Sequence, residues 1–332
     1  MSGTTRITVA VYNEDLGWVL GEEYIDRIRS AAADCEVNVV ASDNELIEHL
    51  PDTDWLIGCP LPAATLFEHA RSLRFIQCTT IGDERLLEDP TMFPPELQVS
   101  LSSRIRAPQA AEHVMLLTLA LLRNLPHHLD FSKESGFFPG WDASYPVTEL
   151  AGLRVMLLTD PALRAAAGRL FRAFGCGINA PDLFRSSGGD NVVTLFNPDE
   201  LDSMLTRTDV LVAALPPLVT FHGFLDRNRL SRLADSSILV NVGFPAALDE
   251  SALVELLDKQ RLRAAGLDGL CRMPLHKQDP LLMNLRVLVT PGVASSTSVY
   301  WERAVTVICS NIERLLTGQP LPDLVPAPVA DE

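Results

Sequence analysis

Apolar, β-rich runs alternate with amphipathic helical stretches almost from end to end of this 332-residue chain. No other feature narrows its fold so far, because strands that recur between helices pair in parallel and are covered by those helices on both faces. Ile7 to Tyr12 reads as a strand and Tyr24 to Ala33 as a helix. Val37 to Ala41, Trp55 to Gly58 and Leu73 to Thr79 follow as strands, and a first, flavodoxin-like domain ends near residue 102. A long apolar helix, Pro108 to Leu125, comes next, with Pro108 in its first turn, where a missing N–H costs nothing. Residues 126 to 150 are rich in aromatics, Pro and Gly and read as a loop carrying a short helix.

A second αβ run then begins with strand Arg154 to Leu158, helix Ala162 to Phe174 and strand Val192 to Leu195. Strands Val210 to Ala214 and Ile238 to Val242 follow, then helix Glu250 to Lys259, strands near Ala265 and Val287, and a final helix from Val299 to Leu316. The length suits two domains, and an apolar fraction of 47% is ample for their cores. No internal repeat or low-complexity tract interrupts the pattern.

Charge and cysteine usage exclude several function classes. A net charge of −16 argues against nucleic acid, polyphosphate or an anionic membrane as partner. The six cysteines (Cys35, Cys59, Cys78, Cys176, Cys271, Cys309) form no CxxC pair, so neither a metal site nor a disulfide framework is expected. The opening MSGTTRITVAVYNED runs straight into a strand with no signal-peptide pattern. The longest apolar stretch, His113 to Leu125, is too short to span a bilayer. A soluble, cytoplasmic protein is the expectation.

Several segments, in order, resemble the D-isomer-specific 2-hydroxyacid dehydrogenase family, in its glyoxylate- and hydroxypyruvate-reductase-like branch. They are IQCTTIGDERLL (Ile76 to Leu87), APQAAEHVMLLTLALLRNLP with Glu112 and His113, DVLVAALPPLVTFHGFL, ILVNVGFPAALDESALVELL, GLDGLCRMPLH, VLVTPGVASST and the tail NIERLLTGQPLPDLV. The resemblance covers nearly the whole chain. It implies two Rossmann-like or flavodoxin-like parallel-sheet α/β domains separated by a cleft. A substrate-type domain would comprise residues 1–102 plus 296–332, with a degenerate dinucleotide-binding domain of 103–295 inserted in it. It also implies a homodimer, with the apolar 113–125 helix as an interface element.

The strand–turn–helix that should bind a dinucleotide is present as LRVMLLTDPALRAAAGRLFRAFG, but its glycines are not. Thr159, Pro161 and Arg164 stand where the resemblance places the three glycines that let backbone N–H groups approach a pyrophosphate. Pro161 brings a ring and no N–H, and Asp160 before it makes a good helix cap. That carboxylate would occupy the positive helix end and repel a second anion some 4 Å away by roughly 1–4 kcal/mol. Two readings of Arg164 stay open: it pairs with a phosphate, or Asp160 simply caps while Arg164 is a solvated helix residue. Asp182 stands where a ribose-binding acid belongs, and Leu163 would adjoin any nucleotide held here. No cofactor is the expectation, with NAD(P) as the alternative.

The resemblance also locates three catalytic positions: an arginine for the substrate carboxylate, a histidine for proton exchange and a glutamate that tunes the histidine. They fall on Phe244, Gly292 and Met273, none of which ionises. Other cleft candidates are Thr80, Ile81 and Gly82, whose family loop offers N–H groups to a carboxylate. Arg104 and Arg106 could replace the lost charge or form salt bridges. Asp268 falls where the family contacts the nicotinamide amide. Cys271, with His276 near it in sequence, is a nucleophile or an inert thiol. His113 is read as structural, His127 and His128 as loop, and Trp141, Tyr145, Tyr300 and Trp301 as cleft lining or packing.

Three functions remain. One is a scaffold repurposed to bind a small, partly hydrophobic metabolite for non-redox chemistry. The others are a non-catalytic pseudoenzyme or partner subunit, and a divergent NAD(P)-dependent 2-hydroxyacid oxidoreductase.

Overall fold

The computed structural model describes residues 4–15, 17–79, 86–87, 92–129, 147–184, 193–271 and 276–325. In chain order the elements are β1 (Arg6–Val9), β2 (Tyr12–Asn13), β3 (Trp18–Val19), α1 (Glu22–Ala31), β4 (Glu36–Val39), α2 (Asp43–His49), β5 (Trp55–Ile57), α3 (Ala63–His69), β6 (Phe75–Gln77), β7 (Gln98–Ser100) and α4 (Ser103–Leu122). There follow β8 (Arg154–Thr159), α5 (Pro161–Ala173), β9 (Gly177–Pro181), β10 (Thr194–Phe196), β11 (Val210–Ala214), β12 (Ile238–Asn241), α6 (Glu250–Asp258), β13 (Ala264–Asp268), β14 (Val287–Thr290) and α7 (Tyr300–Leu316), besides shorter helical turns. The chain divides into two compact units, residues 1–106 with 297–332 and residues 107–296.

Unit 1 is built on a five-stranded parallel sheet in the order β4-β1-β5-β6-β7. Ile7, Val9, Trp55, Ile57 and Phe75 from its strands meet Ile25 and Ile28 of α1 and Val305, Ile308 and Ile312 of α7. The α1 pair is spaced by three and the α7 trio by three and four, which puts each set on one face of its helix. Asn311 on the same face of α7 is buried, and its Nδ2 donates to Gln77 Oε1 at 2.6 Å. The tail closes the β7 edge, Leu101 N donating to Asp323 O and Val325 N to Val99 O, each at 2.8 Å. Trp301 packs against this core, and Tyr300 donates its hydroxyl to Thr79 O at 2.9 Å. Both contacts lie within unit 1.

Unit 2 holds a seven-stranded parallel sheet in the order β10-β9-β8-β11-β12-β13-β14. Strands β11, β12 and β13 are buried along their whole length, which is why they read as continuous apolar runs. Val155, Leu157, Val210, Val212, Ile238 and Val240 form one core with Ala107, Ala111, Val114, Leu117 and Leu121 of α4. In the 113–125 stretch expected to meet a second copy, Leu116 and Leu125 are the large apolar side chains left exposed. The rest of that apolar surface is core.

Several boundaries differ from the sequence reading. The long helix begins at Ser103, so Pro108 lies inside it and not in its first turn. Ser102 O already accepts Ile105 N and Arg106 N, starting the helix upstream of the proline. The first strand stops at Val9, and Tyr12–Asn13 turns away to pair antiparallel with Trp18–Val19. Helices α2 and α3, of seven residues each, are too short for periodicity to reveal. Ser42 nevertheless caps α2, accepting Glu45 N at 3.2 Å, while Glu45 reaches back to Ala41 N. Among the described residues, no helix is long and apolar enough to cross a membrane and no cluster of His, Cys, Asp or Glu could hold a metal ion.

Candidate functional site

In a doubly wound sheet, ligands bind beyond the carboxyl ends of the strands, where the strand order reverses. In unit 2 that reversal lies between β8 and β11, and the loops leaving β8, β12, β13 and β14 carry most of the residues singled out from sequence.

Strand β8 ends at Thr159 and hands over to Asp160, whose backbone is extended (φ −61°, ψ 162°). Its carboxylate accepts Ala162 N at 2.9 Å and Leu163 N at 3.0 Å, and Pro161 fills the first helical position. The donors a helix end would offer to a phosphate are thus already paired with a fixed anion. These residues do not fit a pyrophosphate in the way a glycine-rich turn does. Leu163 belongs to the core, and Arg164, 5% exposed, is buried in the helix rather than solvated. The solvated reading of Arg164 is thereby corrected: its position on α5 faces inward with Leu163, Ala166 and Ala167.

Asp160→Ala removes that cap while leaving Pro161, and should lower stability by about 1 kcal/mol in chemical denaturation. A loss under a few tenths would show that the carboxylate is not what starts the helix.

Asp182 follows β9, its N–H donating to Phe196 O at 3.1 Å, and borders an open cavity of about 700 Å³ with Leu195, Phe196, Asn197, Pro198 and Asp199.

The loop leaving β12 brings Phe244 to the edge of the sheet. Phe244 N donates to Leu215 O at 2.9 Å, fastening this loop to the one leaving β11. The half-buried Phe244 ring meets the exposed His222 imidazole nearly edge-on, with centroids 4.8 Å apart and planes at 73°. His222 is the residue the sequence reading passed over. The signal was available, since it lies in the loop after a wholly apolar parallel strand.

Asp268 ends β13 and is 7% exposed. Its Oδ1 accepts the Thr290 hydroxyl at 2.6 Å and Val293 N at 2.8 Å, and its Oδ2 accepts Ala294 N at 2.6 Å. With its proton given to Asp268, Thr290 Oγ1 accepts from His113 Nε2 at 2.9 Å, which sets that histidine's tautomer. His113 thus has the structural role expected of it. Asp268 holds the β14 exit loop, so both its oxygens are engaged within the protein. Gly292, in that loop, has φ +73°, a conformation that strains any residue with a side chain.

Cys271 is exposed at the mouth of a cavity of about 590 Å³ that Asp249, Glu250 and Pro280 also line, and its N–H donates to Glu250 Oε1 at 2.8 Å. A thiolate nucleophile needs cationic company, and two of the residues sharing this cavity are acids. His127 and His128 lie 5.7 Å apart, ring to ring, and His127 lines a cavity of about 540 Å³ with Arg263 and Arg286. Burial lowers the pKa of the Arg263 guanidinium, which donates to Thr148 Oγ1 and to Leu122 O at the end of α4.

In unit 1, Arg104 pairs with Asp323 at 2.9 Å, its side chain 52% exposed, so it ties down the tail. Of its two sequence readings the salt bridge is the one realised. Arg106 is half-buried and makes no ion pair among the described residues. Thr80, Ile81, Gly82, Trp141, Tyr145 and Met273 lie outside the described residues.

Residues 115–294 match the family model described as D-isomer specific 2-hydroxyacid dehydrogenase, NAD binding domain. That match gives no support to the expectation that no cofactor is held. A hydroxypyruvate reductase of Blautia hydrogenotrophica is 22% identical over 284 residues, covering 83% of this chain and 86% of that protein. A D-3-phosphoglycerate dehydrogenase of Mycobacterium tuberculosis is 29% identical over 85% of this chain, which spans about half (53%) of its length. Among solved structures, a D-isomer-specific 2-hydroxyacid dehydrogenase of Xanthobacter autotrophicus superposes with a TM-score of 0.78 at 20% identity, covering 98% of this chain and 99% of that one. A glyoxylate/hydroxypyruvate reductase of Sinorhizobium meliloti does so at 0.74 and 22% identity, with coverages of 98% and 99%. With more than half its length matched by the family model and whole-chain likeness in fold, the chain belongs to the D-isomer-specific 2-hydroxyacid dehydrogenase family.

Proposed function

We propose that this chain is a divergent family member that binds a small carboxylic acid with an apolar substituent at the carboxyl edge of the unit 2 sheet, without the family's usual hydride transfer. The observation that carries the reading is the chemistry of three positions. Phe244, Met273 and Gly292 stand where the resemblance places arginine, glutamate and histidine, and none can hold a carboxylate by charge or move a proton. The +73° φ of Gly292 supports it, since that backbone is suited to glycine and not to histidine. An apolar ring at Phe244 favours a ligand with an apolar group. The chemistry done on that ligand is non-redox in this reading.

A second reading, an NAD(P)-dependent 2-hydroxyacid oxidoreductase with relocated catalytic groups, has its own support. Asp182 stands beside an open cavity after β9, and the Xanthobacter and Sinorhizobium proteins were solved with NADPH and NADP. Cofactor binding is where the readings part. Asp160 should repel a pyrophosphate, so calorimetric titration with NADH and NADPH is expected to give dissociation constants weaker than about 1 mM, a binding free energy short of about −4 kcal/mol. Asp160→Asn, which keeps a capping oxygen and drops the charge, should tighten binding about fivefold or more. Micromolar NADPH binding with oxidation of NADPH on adding glyoxylate or hydroxypyruvate would establish the second reading instead.

A further inference from the structure

The loops that leave β11 and β12 contain almost no chemistry. From Leu215 to Leu225 (LPPLVTFHGFL) and from Asn241 to Leu248 (NVGFPAAL), His222 is the one ionisable side chain. The β11 loop borders the point where the strand order reverses, the β12 loop lies next to it, and backbone bonds hold the two together. Gly223 N donates to Ala246 O and Leu225 N to Ala247 O, each at 2.8 Å, and Phe244 N donates to Leu215 O at 2.9 Å. Gly223 turns the chain at φ +61° directly after His222. The imidazole is thus presented on a fastened loop, edge-on to Phe244. It is exposed, and its ring makes no hydrogen bond to a described residue.

We infer that His222 holds the acid group of the ligand in this chain, its ring N–H donating to a carboxylate while Phe244 covers the apolar substituent. This rests on the functional reading above, that the ligand is an acid bound at this edge. A carboxylate brought to these two loops meets a single ionisable side chain, His222. That side chain stands beside the position from which a guanidinium is missing. The half-buried Phe244 ring, its centroid 4.8 Å away, sets an apolar surface directly beside that side chain. His222 is a binding and positioning residue in this account.

The test is calorimetric titration of the full chain with D-phenyllactate, glycolate and the neutral analogue 3-phenylpropane-1,2-diol. The unmodified protein should bind phenyllactate more tightly than glycolate. His222→Leu should weaken phenyllactate roughly tenfold or more, the usual worth of a charge-assisted hydrogen bond, and leave the diol unchanged. His222→Arg should restore phenyllactate to within about threefold. Because His222 is exposed, both variants should unfold at the wild-type temperature, so lost binding would not reflect lost structure. Equal phenyllactate affinity in wild type and His222→Leu overturns the inference while leaving the functional reading intact. Failure of the unmodified protein to bind either acid overturns both.

Discussion

Asp268→Ala is expected to lower the stability of unit 2 by about 3–5 kcal/mol, the scale of leaving three buried donors without their acceptor at roughly 1–3 kcal/mol each. Val293 N, Ala294 N and the Thr290 hydroxyl all donate to this one carboxylate, at 2.8, 2.6 and 2.6 Å. Water cannot easily replace it, because the residue is 7% exposed at the end of a wholly buried strand. Thr290 would lose its direction as well, and with it the bond to His113. Asp268→Asn should cost less, since one oxygen survives, but its NH₂ then faces a donor. Urea unfolding gives the stability, and amide exchange at Val293 and Ala294 shows whether the loss is local. A residue serving solely to contact a cofactor would leave the ligand-free protein unmoved. An Asp268→Ala variant within 1 kcal/mol of wild type would therefore sink the structural assignment.

What could be read from the sequence follows the range of the interaction concerned. Strand β11 agrees with its sequence bounds, Val210 to Ala214, because a parallel strand buried on both faces must be apolar throughout. The Asp160 cap was equally legible, since capping joins a side chain to backbone two and three residues on. Arg104 could not be assigned, as its partner Asp323 comes from the far end of the chain. Arg164 misled because a charged residue in a helix is ordinarily solvated, and its burial depends on which face of α5 the sheet covers. Pro108 misled for a converse reason: a proline marks a helix start as a tendency, and Ser102 had already begun the turn. The place of His222 in the loop after β11 could be read from sequence, but its pairing with Phe244, which reaches it from another strand's loop, could not.

Gly243→Ala should be the most damaging small substitution near the site, costing about 3 kcal/mol, the upper end of ordinary overpacking. A Cβ there would lie 2.5 Å from Ala214 Cα, 2.6 Å from Ala214 C and 2.6 Å from Leu215 N. All three are backbone atoms at the end of a buried central strand, so none can rotate away as a side chain would. The flanking bonds, Val242 N to Ala213 O and Phe244 N to Leu215 O, hold the two chains at that separation. Relief must come from breaking one of them, and the second carries Phe244. Gly223→Ala is the control. It too lies beside the site, at φ +61°, but a Cβ there has nothing within 4 Å, so its cost is the 1–2 kcal/mol of a left-handed backbone. If urea unfolding finds Gly243→Ala no worse than Gly223→Ala, the close approach of the two loops is not what fixes Phe244. If it is markedly worse, and phenyllactate binding falls with it, the edge-on pair depends on two peptide planes lying too close for any side chain between them.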